Sequence, residues 1–212
     1  MKIAVVGTQC VGKSTYIKDF LKKWNMYKTP DTCYRSLIKE KSLTINREGS
    51  EETQKIILDF LLDQATNFSK NENVIFDRCV LDNLAYSSWL YLNGKVSEKF
   101  LDQTRILVRE SLKLFDIIFF LPLTKVSPVE IVEDGTRDTD PVYREEIDNI
   151  FKVFSQSYAQ GDGRIFPAND SPALIEIFGS PEGRIQLTSL YLTEEGKAFG
   201  ENQSLISGLY TP

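Results

Sequence analysis

Five short apolar or β-branched runs alternate along this chain with stretches whose apolar residues recur every three or four positions. The runs, at 2–6, 25–28, 73–76, 116–121 and 173–178, have strand length. The stretches between them carry a helical period. The clearest stripe, within 50–68, places Ile56, Ile57, Phe60, Leu61, Ala65 and Phe68 on one broad face. It reads most simply as core packing. A first helix is expected over 14–24. A last one is expected over 181–192, with Ser180 as its cap and Pro181 in its first position. Strands alternating with helices predict a parallel sheet covered on both faces. From Thr193 the pattern fades into polar and glycine-containing sequence, so 193–212 is expected to be a surface tail. Neither repeats nor low-complexity blocks break the chain.

The most informative residues follow the first run: Gly7-Thr8-Gln9-Cys10-Val11-Gly12-Lys13-Ser14. This is the spacing of a phosphate-binding P-loop, set between a strand and a helix as that loop requires. Glycines let the backbone approach a phosphate closely. Successive N–H groups then form an anion-binding nest, and the following helix adds its positive end. Lys13 is expected to reach the β- and γ-phosphates, and the Ser14 hydroxyl to meet Mg²⁺. Thr15 helps to start the helix. Cys10 is either a loop filler or a thiol activated by the helix N-terminus.

Composition narrows the rest. At 212 residues the chain suffices for one compact α/β domain. Hydrophobic content of 42% and charged content of 26% are ordinary for a globular protein. Apolar runs fall short of membrane-spanning length, and the immediate entry into a strand leaves no room for a signal peptide. Cys10, Cys33 and Cys79 are scattered, without metal-ligand spacing, and read as reduced intracellular thiols. A cytoplasmic location is expected. The net charge of −5 disfavours long nucleic acid as a partner, although a local basic channel stays open. The chain contains no histidine, so proton transfer falls to a carboxylate, the substrate or water.

Three further groups bear on chemistry. Asp77-Arg78 ends the third run. At the carboxyl end of a strand beside the P-loop strand, Asp77 can hold Mg²⁺ and Arg78 a phosphate or hydroxyl of the acceptor; a structural ion pair is the alternative. The segment 133–144 is rich in charge and turn formers, with a helix starting near Asp140 and Pro141. Arg137 and Arg144 could swing over a nucleotide from a lid at about 132–143, mobile without nucleotide and ordered with it; the alternative is a solvated charged loop. Asp31 and Arg35, four apart, would share one helix face. They either contact the acceptor or form an ordinary surface pair. Tyr86, Trp89 and Tyr91 lie in one expected helix, as core packing or as a base-stacking face.

Together these residues resemble the P-loop nucleoside and nucleotide kinases. Asp77-Arg78 looks like the Asp-Arg signature of thymidylate kinases. The segment 134–138, Asp-Gly-Thr-Arg-Asp, is similar to the lid of ribosylnicotinamide-kinase-like proteins and related small AAA-type P-loop proteins, many of them phage-encoded. The stretch 175–185 looks like their last strand and helix, and the turn after that strand lies near the adenine in such kinases. Cys79 and Asp31 depart from the usual pattern. The resemblance spans roughly 1–192. It implies one P-loop domain with five parallel strands in the order 2-3-1-4-5 and helices on both faces. It also implies ATP–Mg²⁺-dependent phosphoryl transfer to a nucleoside or nucleoside monophosphate. Gly7, Thr8, Gln9, Cys10, Val11, Gly12, Lys13, Ser14 and Thr15 would then bind ATP. Lys13, Asp77, Arg137 and Arg144 would be catalytic, Ser14 and Asp77 would serve the metal, and Asp31, Arg35 and Arg78 would face the acceptor. Two other functions stay open: a kinase acting on a modified base or end in DNA, and a nucleotide-dependent switch that binds a partner. A homodimer is compatible with either.

Overall fold

Every residue of the first strand is buried, and alternate residues feed two different cores. The computed structural model describes residues 1–124 and 139–199. Its sheet is parallel and four-stranded, ordered β2-β1-β3-β4, with β1 at Lys2–Val6, β2 at Val74–Asp77, β3 at Ile117–Phe120 and β4 at Ala173–Glu176. Ala4, Val6, Phe76, Ile118 and Phe120 point to one face. There they meet α3 (Glu51–Thr66), α4 (Val80–Leu92), α5 (Glu98–Ser111) and α6 (Pro141–Ala159). Ile3, Val5, Ile75, Ile117 and Phe119 point to the other face, against α1 (Lys13–Lys23) and the residues around α7 (Pro181–Thr188). The period of two in a strand thus becomes a three-layer α/β/α stack. Each fully buried Leu, Ile or Phe contributes about 1.5–3 kcal/mol to holding the layers together.

The expected fifth strand, 25–28, is a correction. Asn25 and Met26 form a turn after α1, with Tyr27 N–H donating to Trp24 O at 3.1 Å. Lys28 alone pairs, as a parallel bridge to Val74. Its carbonyl accepts from Ile75 N–H at 2.9 Å, and Pro30, without an N–H, cannot extend the ladder. The bridge sits beside β2, at the sheet edge the expected order assigned to that run.

The last helix is shorter than expected. It ends at Thr188, not 192, and the chain then turns back: Trp24 Nε1–H donates to Thr193 O at 2.8 Å and Tyr27 Oη–H to Gly196 O at 2.6 Å. The expected tail therefore begins anchored to the end of α1; residues 200–212 lie outside the described residues. The short helix α2 runs from Tyr34 to Glu40. α6 starts where the sequence places it, with Asp140 as its cap, accepting from Val142 N–H at 2.8 Å and Tyr143 N–H at 3.0 Å.

Candidate functional site

The turn out of β1 tolerates little but glycine. Gly7 has φ +139°, and a Cβ there would stand 2.5 Å from the Leu121 carbonyl oxygen. Gly12, at φ 85°, delivers the chain in a left-handed conformation to the start of α1. Between them Cys10 also holds a positive φ, 57°, which costs a non-glycine residue energy and marks a constrained loop.

Three buried cations hold the carbonyls of this loop. Lys13 Nζ donates to Gly7 O and Thr8 O, each at 2.7 Å. Arg144, from the first turn of α6, donates to Gln9 O and Cys10 O, each at 3.1 Å. Arg184, from α7, donates to Val11 O at 2.7 Å. Five consecutive carbonyls are thereby engaged. Neither arginine lines the cavity in front of the loop, so the carbonyls of Gln9, Cys10 and Val11 turn away from it. A trans peptide sets N–H opposite C=O. Cys10 and Gly12, whose N–H groups lie opposite the Gln9 and Val11 carbonyls, do line the cavity, as an anion nest requires.

That cavity, about 500 Å³, is lined by Gln9, Cys10, Gly12, Lys13, Ser14 and Thr15 of the loop, and by Arg35, Gln64, Asp77 and Arg78. Gly7, Thr8 and Val11 lie behind its wall. Gln9 Nε2 is buried and finds no hydrogen-bond partner among the described residues, a donor that an incoming anion would satisfy. At the mouth, the Ser14 hydroxyl donates to Asp77 Oδ2 at 3.2 Å. A hydroxyl and a carboxylate side by side are hard oxygen ligands of the kind Mg²⁺ takes. A larger hollow of about 660 Å³ lies between α4, α5 and α6, but no P-loop residue lines it. Two of its arginines, Arg105 and Arg164, are paired with Asp102 and Asp162. The smaller cavity is therefore the candidate site.

Burial drives the electrostatics of Lys13. It lowers the amine to about 7; Arg78 pushes in the same direction, while Asp82, Asp77 and Cys10 oppose it. Bound phosphate would restore the proton. Nucleotide binding is therefore expected to take up a proton above pH 7, and affinity to fall by up to about tenfold per pH unit beyond it. Calorimetry in two buffers of different ionisation enthalpy, from pH 6.5 to 8.5, reads both effects; a flat profile would place the amine elsewhere. The same group sets a stability trend without ligand. The unfolded chain binds more protons between the folded value near 7 and the ordinary 10.5, so the contribution of Lys13 to stability rises with pH across that window.

Arg78 is the most constrained of the expected acceptor residues. It adopts φ 83°, donates its backbone N–H to Val5 O at 3.0 Å, and turns its guanidinium between the rings of Tyr34 (4.9 Å) and Tyr86 (5.3 Å). Its NH1 donates to Asp82 Oδ1 at 3.1 Å, and Asp82 Oδ2 accepts from Cys79 N–H at 3.0 Å. Burial acts on both partners. It works against the Arg78 cation but is outweighed by Tyr86, Asp82, Tyr34 and Asp77, so Arg78 is raised. In Asp82 burial outweighs the pull of Arg78 and Lys13, so the carboxyl is also raised. The direction that decides is that of Arg78: a guanidinium keeps its proton at any working pH, so Asp82 faces a permanent cation.

The other expected site residues are partly brought together. Arg35 lines the cavity; Asp31 is exposed and does not. They share no helix face, because α2 starts at Tyr34 and Asp31 lies in the bend before it. Arg144 is buried against the back of the P-loop rather than reaching over the cavity, because α6 packs on α4 through a Tyr143–Trp89 edge contact at 4.7 Å. Arg137 and residues 132–138 of the lid expected over 132–143 lie outside the described residues, while Pro141, Val142 and Tyr143 belong to α6. Trp89 serves the core, donating to Glu146 Oε2 at 2.8 Å, while Tyr86 backs Arg78.

Sequence reasoning missed three residues. Asp82 was signalled by its place three after Cys79 at the start of the expected helix, where a carboxylate accepts from the N–H of the cap residue. Gln64 lines the cavity and ties the preceding loop by donating to Thr32 O at 2.5 Å. Arg184 had no local signal. Its removal in Arg184→Ala is expected to free the Val11 carbonyl and weaken ATP-analogue binding by about tenfold, the worth of one charged hydrogen bond. Arg184→Lys should recover part of the loss. Unchanged affinity in Arg184→Ala would mean that the loop needs no brace from α7.

Comparisons with known proteins agree with this architecture. A family model described as an AAA domain matches residues 2–159. No curated protein sequence matches the chain. Among solved structures, a deoxyadenosine kinase from M. mycoides, with products dCMP and a flexible dCDP bound, superposes with TM-score 0.61 at 20% identity, over 90% of this chain and 97% of that one. A NadR protein in complex with NR superposes with TM-score 0.63 at 13% identity, over 95% of this chain but 54% of that one. A thymidylate kinase from Candida albicans gives 0.51 at 20% identity, over 89% of each chain. At such identities the likeness is one of fold: the P-loop kinase-like fold.

Proposed function

We propose that this chain, which belongs to the AAA-domain family, is a P-loop phosphotransferase that moves the γ-phosphoryl group of ATP to a nucleoside or nucleoside monophosphate. The observation that carries the reading is the P-loop itself. Buried cations fix its carbonyls, its residues Cys10 and Gly12 line a cavity, and Lys13 and the Ser14–Asp77 pair line it with them. In this reading the nest N–H groups and the positive end of α1 hold the β- and γ-phosphates. Lys13 leaves Gly7 O and Thr8 O for the phosphates and follows the charge that spreads over the γ-oxygens. Ser14 and Asp77 would hold Mg²⁺, which when bound neutralises charge on the β- and γ-oxygens. Arg144 and Arg184 are positioning residues: they keep the nest shaped before the nucleotide arrives, so that less reorganisation accompanies the reaction. Arg78, held between two tyrosines, orients the acceptor.

The names of the similar structures support this assignment, since two are kinases of nucleosides or nucleotides. Within the described residues no helix is long and apolar enough to cross a membrane. The test is a screen of nucleosides and nucleotides with γ-labelled ATP and Mg²⁺. Label in a new phosphate ester supports the reading. Label found only in inorganic phosphate, and released only when protein or DNA is added, points instead to a switch.

A further inference from the structure

The cavity in front of the P-loop holds more positive charge than the nucleotide cradle uses. Its wall brings together Lys13, Lys18, Arg35 and Arg78 with one carboxylate, Asp77. Lys13 belongs to the P-loop, and Asp77 accepts from Ser14. That leaves Lys18 on α1, Arg35 on α2, and Arg78 after β2. Lys18 and Arg35 are exposed, so they can move onto a ligand. Arg78 is fixed, its guanidinium anchored by Asp82 and flanked by Tyr34 and Tyr86. This cationic wall occurs in a chain whose net charge is −5. A cleft of one sign focuses the field and concentrates ligands of the other sign. A neutral nucleoside gives such a wall no counter-charge. A phosphate monoester brings about two negative charges near neutral pH.

Proton bookkeeping points the same way. A hydroxyl acceptor has to surrender a proton, which calls for a base within hydrogen-bond reach. The chain has no histidine. Asp31 is exposed and does not line the cavity. Asp82 is 2% exposed and occupied on both oxygens by Arg78 and the Cys79 N–H. Among the described lining residues only Asp77 is a carboxylate, and it already faces Ser14. A phosphate dianion needs no base, because its attacking oxygen carries no proton.

We infer that the acceptor is a nucleoside 5′-monophosphate rather than a nucleoside, with its phosphate held by Arg78, Arg35 and Lys18. The inference rests on the phosphotransferase reading and sharpens it. In the transfer, a lone pair on an acceptor phosphate oxygen forms the new bond to the γ-phosphorus of ATP. The bond from that phosphorus to the β,γ-bridging oxygen breaks, and its electron pair leaves on the β-phosphate. The products are a nucleoside diphosphate and ADP, and the step moves no proton.

The test uses matched pairs, each nucleoside beside its own 5′-monophosphate, with γ-labelled ATP, Mg²⁺ and the full chain. For at least one pair, kcat/KM for the monophosphate is expected to exceed that for the nucleoside by about 100-fold, the worth of two charge-assisted hydrogen bonds. Calorimetry without ATP should show that monophosphate binding, and binding should weaken as salt rises. Removing Arg78 disturbs a buried pair, so the exposed residues carry the mutational test. Arg35→Gln with Lys18→Gln should raise the monophosphate KM by about tenfold and leave kcat within about twofold. Transfer to nucleosides as fast as to their monophosphates would overturn the inference and leave the phosphotransferase reading standing. Transfer to neither would overturn both. An unchanged monophosphate KM in the double variant would remove the phosphate from this wall.

Discussion

Lys13→Ala is expected to lower kcat for phosphoryl transfer at least about 100-fold, about 3 kcal/mol of barrier. Of the three cations bonded to the loop, Lys13 is the one that lines the cavity, and its effect grows as charge spreads over the transferring group. The variant should still fold. Alanine is a good helix former at the start of α1, and the substitution removes a buried amine whose charged form the native site disfavours. The Gly7 and Thr8 carbonyls lose their donor, a cost of about 1–3 kcal/mol for each buried acceptor left unpaired, which lies within the stability of an ordinary domain. Circular dichroism and a melting curve establish the fold, and single-turnover kinetics with labelled ATP measures the step. Turnover near that of the parent protein would sink the phosphotransferase reading.

Asp82→Ala is expected to be the most damaging single change to the fold around the site. It strips the Arg78 guanidinium of its carboxylate partner in a largely buried setting, since the Asp82 side chain is 2% exposed and that of Arg78 14%. Breaking a buried pair from one side costs about 3–5 kcal/mol. At about 2–4 °C per kcal/mol for a chain of this size, Tm should fall by roughly 10 °C. The control is Asp82→Ala combined with Arg78→Met. An apolar replacement of the whole pair is close to neutral, so stability should largely return while acceptor binding does not. If the double variant melts as low as the single one, the loss comes from packing around α4 and not from the stranded charge.

The elements that sequence predicted well are those with local causes. The P-loop is legible because its glycines, lysine and serine act within eight residues of one another. The cap at Asp140 and the proline after it announce α6 for the same reason. Strand 2–6 reads correctly because burial on both faces demands a continuous apolar run. The pair Asp31–Arg35 failed on local grounds too. A spacing of four means a shared face only inside a helix, and the helix begins after Asp31. The run at 25–28 failed because a strand needs a partner over its whole length, and the turn after α1 uses its first residues.

The sequence by itself determined the P-loop, the alternation of strands and helices, and the Asp77-Arg78 pair at a strand's carboxyl end. Each follows from residue types at short spacing, where backbone geometry leaves few choices. Tertiary structure alone decided what grips the P-loop from behind. Arg144 meets Gln9 across 135 positions and Arg184 meets Val11 across 173. No spacing rule links such residues. Their contacts exist because the parallel sheet brings the starts of α6 and α7 to the end of β1 where the P-loop begins. A buried carbonyl there must find a donor from whichever element arrives. The same packing took Arg144 out of the cavity and gave Arg78 its two tyrosines and its aspartate. Charge placement in the site is therefore a property of the assembled layers.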